Sequence, residues 1–216
     1  MDNTLTVAPS FHPALRFAAK AISVVFHPLF IPIYILLFTL YVSPIALALA
    51  PEARFRLSLS FAAMYLLFPL VTVLLAKGLG FIDSILLRTQ KDRIIPYIAC
   101  GIYYFWIWYV LHNQNAPAAL VVLTLAIFLA SSAGSLLNSF IKISMHGISI
   151  GVAVAFMYLL ALVSGASFGV YLSITLLIAG LVCTARLINA DHQPKEVYLG
   201  LAVGAAALLI AYWFEG

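Results

Sequence analysis

Residues 117–139 read PAALVVLTLAIFLASSAGSLLNS, a run without one charged side chain. A helix rises about 1.5 Å per residue, so about 20 apolar residues cross a hydrocarbon core roughly 30 Å thick. Inside lipid each backbone N–H and C=O must find a partner within the segment, which a helix provides. The run is therefore read as a transmembrane helix. Comparable runs fall at about 22–46, 57–79, 94–112, 147–164, 168–185 and 197–214. The whole chain is 65% hydrophobic and 8% charged, with a mean hydropathy of +1.12; soluble domains carry roughly 25% charged residues. The alternating pattern of an outer-membrane barrel is absent. These features predict an all-α polytopic transmembrane bundle of six to seven spans. Residues 1–20, with Pro9, Pro13, Arg16 and Lys20, are expected to lie at the membrane surface, and residues 21–216 to form the helical domain.

The first run carries Pro28 and Pro32, which predicts a kinked or partly re-entrant segment. It is too long for a cleaved signal peptide and is expected to remain in the chain. Pro51, Glu52, Arg54 and Arg56 are read as a short polar turn before the second span. Tyr103, Tyr104, Trp106, Trp108 and Tyr109 in the third span fit an interfacial belt. Ser131, Ser132, Ala133, Gly134 and Ser135 in the fourth suit close helix packing. Cys100 and Cys183 both fall in apolar runs, without redox or metal spacing, and are read as buried small residues. The formal net charge of +4 is read as loop charge that sets topology and meets anionic head groups, with no nucleic-acid partner implied.

The distribution of the polar connections carries the functional signal. Each pair of spans returns the chain to the face it left. The connection at 80–93, the stretch from Lys142 to His146 and the stretch from Arg186 to Glu196 therefore share one face. The turns near 113–116 and 164–167 contain no Lys, Arg, Asp or Glu. One face thus gathers Arg88, Lys91, Arg93, Lys142 and Arg186 with two imidazoles, His146 and His192. Guanidinium forks match phosphate oxygens, one imidazole can act as nucleophile, and another can protonate a leaving oxygen near neutral pH. A helix starting near Pro194 puts Glu196 in its first turn, where a carboxylate is favoured. From there it is placed to hold one ring nitrogen of His192 and leave the other free to attack. This inventory suits phosphoryl transfer through a phosphohistidine without a metal.

These residues carry a resemblance. Arg186-x5-His192-x3-Glu196 resembles the third signature of the type-2 phosphatidic acid phosphatase superfamily, S-R-x5-H-x3-D. Ile143-Ser144-Met145-His146 is similar to its second signature, P-S-G-H, and Lys91-Asp92-Arg93-Ile94-Ile95-Pro96 to the end of its first, K-x6-R-P. The resemblance spans about residues 80–205. It implies His192 as nucleophile, Glu196 as the residue orienting it and His146 as general acid. It further implies that Arg93 and Arg186 bind the phosphoryl group, helped by backbone N–H groups around Ser144 and Met145. The chain departs from the pattern at several positions. Leu86 stands where the first signature has its lysine, for which Arg88 or Lys91 can substitute. Ile-Ile separates Arg93 from its proline, Ile143 and Met145 replace Pro and Gly, Ala185 replaces Ser, and Glu replaces Asp.

The expected function is an integral membrane phosphatase acting on a lipid phosphate or polyprenyl pyrophosphate, with no cofactor. The alternative is an inactive relative that binds anionic lipid phosphates. A transporter is disfavoured because no ionisable residue falls in the middle of a span. A metal held by His146, His192 and Glu196 is disfavoured by the surrounding cations. Simpler roles exist for individual residues: Arg186 as a snorkelling cation, Asp191 as partner of Arg186 or Lys195, and Lys195 and Lys142 as interfacial charges. His27, before Pro28, is read as a structural hydrogen-bonder, and His112 falls on the opposite face. The expected location is a bacterial inner membrane. Arg16, Lys20, Lys77, Arg88, Lys91, Arg93, Lys142, Arg186 and Lys195 fall on the motif face, against Arg54 and Arg56 on the other. The positive-inside rule places that face in the cytoplasm, whereas the family resemblance implies the outer face. The sequence does not name the oligomeric state.

Overall fold

The computed structural model describes residues 11–85, 90–163 and 168–216. Among them the regular elements are all helical: α1 (Pro13–Val25), α2 (Ile31–Tyr41), a 3₁₀ turn (Pro44–Ala48), α3 (Pro51–Ala62), α4 (Phe68–Gly78), α5 (Gln90–Asn113), α6 (Ala118–Leu137), α7 (Met145–Val163), α8 (Gly169–Ile188) and α9 (Pro194–Glu215). A π-type turn at Ala63–Leu67 joins α3 to α4, so Pro51–Gly78 is one continuous helix. Its cause is local: Pro69 has no N–H to donate and its ring crowds the carbonyl one turn back, which a wider turn accommodates.

Six helices among the described residues are long and apolar enough to cross a membrane: Pro51–Gly78, Ile94–Asn113, α6, α7, α8 and α9. The chain is a multi-pass helical membrane protein. Two readings from the sequence change. The apolar run at 22–46 is not one continuous span: broken as its prolines predict, it is shared between the end of α1 and the short helix α2. At 1.5 Å per residue their 13 and 11 residues rise only about 20 and 16 Å. The break falls at His27-Pro28, because a residue before proline is driven out of the helical region, while Pro32 sits in the first turn of α2, where its missing N–H costs nothing. Helix α1 also runs through residue 20, where the surface segment was expected to end. Second, Glu52, Arg54 and Arg56 belong to helix α3. Pro51 takes the first helical position, where its missing N–H costs nothing, and Glu52 meets the positive end of the helix dipole.

Helices α6, α7 and α9 form the centre, with α7 against α9 as the most extensive contact. Glycines explain how closely those two axes approach. A Cβ on Gly147 would lie 2.7 Å from the Val197 carbonyl oxygen, and one on Gly200 2.7 Å from that of Ser144. Gly151 and Gly204 would collide with the carbonyl oxygens of Leu201 and Ile148. Two small-xxx-small pairs thus face each other, the arrangement that lets helix backbones touch in lipid. The small-residue patch of α6 behaves likewise at Gly134, which sits under Ile148 and Met145. The α7–α9 contact matters for the site because it brings the N-termini of both helices side by side.

Candidate active site

The start of α9 is set by its sequence. Pro194 opens the helix and Gln193 caps it, while Glu196 reaches back to accept the Gln193 N–H at 3.1 Å. The same carboxylate oxygen, Oε2, lies 2.9 Å from His192 Nδ1. A carboxylate only accepts, so Nδ1 carries the proton and Nε2 of the neutral ring has an open lone pair. The His192 side chain is 12% exposed and that of Glu196 16%. Burial lowers the pKa of His192, the Glu196 hydrogen bond raises it, and the charges of Arg186 and Lys142 lower it again; the net shift is downward. The ring is therefore neutral at neutral pH.

Ser144 caps α7. Its hydroxyl accepts the Gly147 N–H at 3.3 Å, its carbonyl accepts that of Ile148, and its own N–H donates to the Glu196 carbonyl at 3.2 Å. That last bond sets the register between the second and third motifs. It also changes the role expected for Ser144. The residue is fully buried with its N–H engaged, so it holds the helix start in place and has no N–H left for a phosphate. The first-turn N–H groups that an α-helix leaves without internal partners belong to the residues after it, Met145 and His146. Met145 lines the cavity described below and packs on Gly134.

His146 is buried and its Nε2 lies 3.0 Å from the Ser23 carbonyl oxygen. A carbonyl accepts, so Nε2 is the protonated nitrogen of this ring and Nδ1 the one not used by the bond. Arg186, 13% exposed, forms an ion pair with Asp191 at 2.9 Å, as the sequence allowed. The pair engages one guanidinium nitrogen and leaves other donors of the fork for a second acceptor. Arg88 lies outside the described residues, as do the side chains of Lys91 and Arg93. Pro96 and Tyr97, one turn beyond Arg93 on α5, line the cavity, so the start of that helix reaches the site. His112 is elsewhere: its Nδ1 lies 3.0 Å from Glu215, which also accepts the Trp108 indole N–H at 3.1 Å.

The motif loops converge on a cavity of about 720 Å³. Lys142, His146, Arg186, Asp191 and His192 line its polar end, and the rest of its wall is mostly apolar, with His27, Ser131, Asn138 and Ser149 interspersed. Tyr104 of α5 and Ile127 of α6 line its deep end. Ile127 lies ten residues before the end of α6, about 15 Å along the axis, or half the hydrocarbon thickness. A charged mouth thus continues into an apolar trough within the bundle.

Three residues here were not assigned a site role from the sequence. Ser23 accepts His146 on its carbonyl and the Asn189 side-chain amide on its hydroxyl at 3.3 Å. His27 lines the cavity with its ring centroid 5.7 Å from that of His146. The available signal was the proline-broken apolar run: irregular backbone at membrane depth is tolerated where it lines a cavity. No family model, curated protein or solved structure matches this chain.

Proposed function

We propose that the protein is an integral membrane phosphatase that hydrolyses a lipid phosphate or pyrophosphate through a phosphohistidine, without a metal. One observation carries the reading. The cavity joins a histidine with an open Nε2, a second histidine and a guanidinium to an apolar trough long enough to take a lipid tail. A soluble phosphate ester needs no such trough, and a bare lipid-binding groove needs no oriented imidazole. The resemblance to type-2 phosphatidic acid phosphatases supports the same assignment, and the bacterial inner membrane is the proposed location.

The chemistry follows from the atoms. The His192 Nε2 lone pair attacks phosphorus, an N–P bond forms, and the bond from phosphorus to the lipid oxygen breaks. With the negative charge of the bound phosphate beside it, His146 takes up a second proton at Nδ1 and passes it to that oxygen, while Nε2–H stays on the Ser23 carbonyl. Water then attacks phosphorus, its proton goes to His146 Nδ1, the N–P bond breaks to return the lone pair to His192 Nε2, and inorganic phosphate leaves. Glu196 balances the positive charge that develops on His192. Arg186 and Lys142, with Arg93 and Lys91 or Arg88 from the first motif, neutralise the phosphoryl oxygens.

The direct test is phosphate release from phosphatidic acid, phosphatidylglycerol phosphate and a polyprenyl pyrophosphate in detergent, with and without chelator. Release that persists in chelator is expected. Tight binding of these lipids without release would favour the non-catalytic alternative. The pH profile is a second expected outcome. Protonation removes the nucleophile as pH falls, and the pKa of His192 is depressed. The acid limb of kcat/KM should therefore lie below the usual histidine value of about 6.5. A limb above that value would contradict the assignment of His192.

A further inference from the structure

We infer that His27, in the break between α1 and α2, is a phosphate-binding residue: it donates its Nε2–H to a phosphoryl oxygen beside Arg186. The inference rests on the proposed function, since it places the ligand's phosphate in the same cavity. Three observations carry it. His27 Nδ1 accepts the Leu29 N–H at 3.3 Å, so the proton of the neutral ring is on Nε2. The ring lines the cavity and packs edge-on against His146. The break itself is fastened to the catalytic helices, because Ser23 accepts both His146 Nε2 and the Asn189 amide.

Neutrality is consistent with this role. The ring is open to the cavity, and partial desolvation, followed by the Arg186 charge, lowers its pKa. A neutral imidazole cannot sensibly lose its N–H proton, so His27 binds and does not act as an acid. The three imidazoles then divide the work. His192 attacks, His146 carries the proton, and His27 adds a donor that does not compete with Arg186 for charge. The α1–α2 break becomes a wall of the site.

Two substitutions test this, His27→Leu, which keeps bulk without a donor, and His27→Gln, which restores an N–H at similar reach. Binding of phosphatidic acid in mixed micelles and of inorganic phosphate is measured alongside phosphate release. His27→Leu should weaken binding of both ligands and lower kcat/KM by about 10- to 100-fold, the scale of a hydrogen bond to a charged group. His27→Gln should recover most of that loss. Equal losses in the two variants would mean that the ring only packs against His146, and would overturn the inference. So would unchanged binding in His27→Leu, or an effect on the lipid without one on inorganic phosphate. The two readings fail separately: a wild type that binds but releases nothing removes the phosphatase, while the His27 effect on binding still stands or falls.

Discussion

His192→Ala is expected to lower kcat/KM for lipid phosphate hydrolysis by on the order of 10⁴-fold or more, with binding of the lipid retained. The size follows from the kind of step removed. Without Nε2 no N–P bond forms, and the remaining catalysis comes only from binding and charge stabilisation by Arg186 and its neighbours. His146→Ala should cost less, about 10²- to 10⁴-fold, because it removes proton transfer and leaves attack intact. The order of the two losses is informative. If His146→Ala were the more damaging, His146 would be the nucleophile. The hydrogen bonds oppose that assignment: a carboxylate backs His192, whereas only a neutral carbonyl backs His146. The measurement is steady-state release from phosphatidic acid micelles, with lipid binding as control.

Gly204→Leu is expected to have the largest structural effect. A Cβ at this position would overlap the Ile148 carbonyl oxygen and crowd the Val152 backbone nitrogen at 2.8 Å. Backbone atoms cannot step aside as a flexible side chain can. The helices must separate, which also removes the contact that holds the Ser144 N–H on the Glu196 carbonyl. Overpacking typically costs about 1–3 kcal/mol, and a clash with backbone belongs at or beyond the upper end. For a chain of this size that corresponds to a thermal midpoint roughly 6–12 °C lower. Gly180→Ala is the matched control. Gly180 also lies within a helix, but nothing stands within 4 Å of its added Cβ. There the midpoint should hold or rise, since alanine is the better helix former by about 1 kcal/mol. Equal losses in both variants would show that the effect does not come from the α7–α9 contact.

Much of the framework is legible in the sequence, for identifiable reasons. The spans at 118–137 and 145–163 are continuous apolar runs, and the membrane thickness alone sets their length. The pairing of His192 with Glu196 follows from a spacing of four residues across a helix start marked by Pro194. Counting crossings puts the motif loops on one face, and the cavity gathers residues from each of them. The α1–α2 break resisted the same treatment. Its prolines announce an interruption, but the partners of Ser23 and His27 lie more than a hundred residues away and are chosen by packing. Ser144 shows the converse. Its motif position suggests a phosphate ligand, and only the Glu196 carbonyl opposite reveals that its N–H is already used. The glycine pairs Gly147/Gly151 and Gly200/Gly204 have a recognisable spacing, yet spacing does not say which helix each pair meets.

The central claim is a covalent phosphohistidine at position 192, and trapping it is the most direct test. Purified protein in detergent micelles would be mixed with ³²P-labelled phosphatidic acid, quenched in alkali within the first turnover and mapped by mass spectrometry. Acid-labile, alkali-stable label is expected on His192, absent from His192→Ala and unaffected by chelator. Phosphate release at full rate with no label on His192 would contradict it.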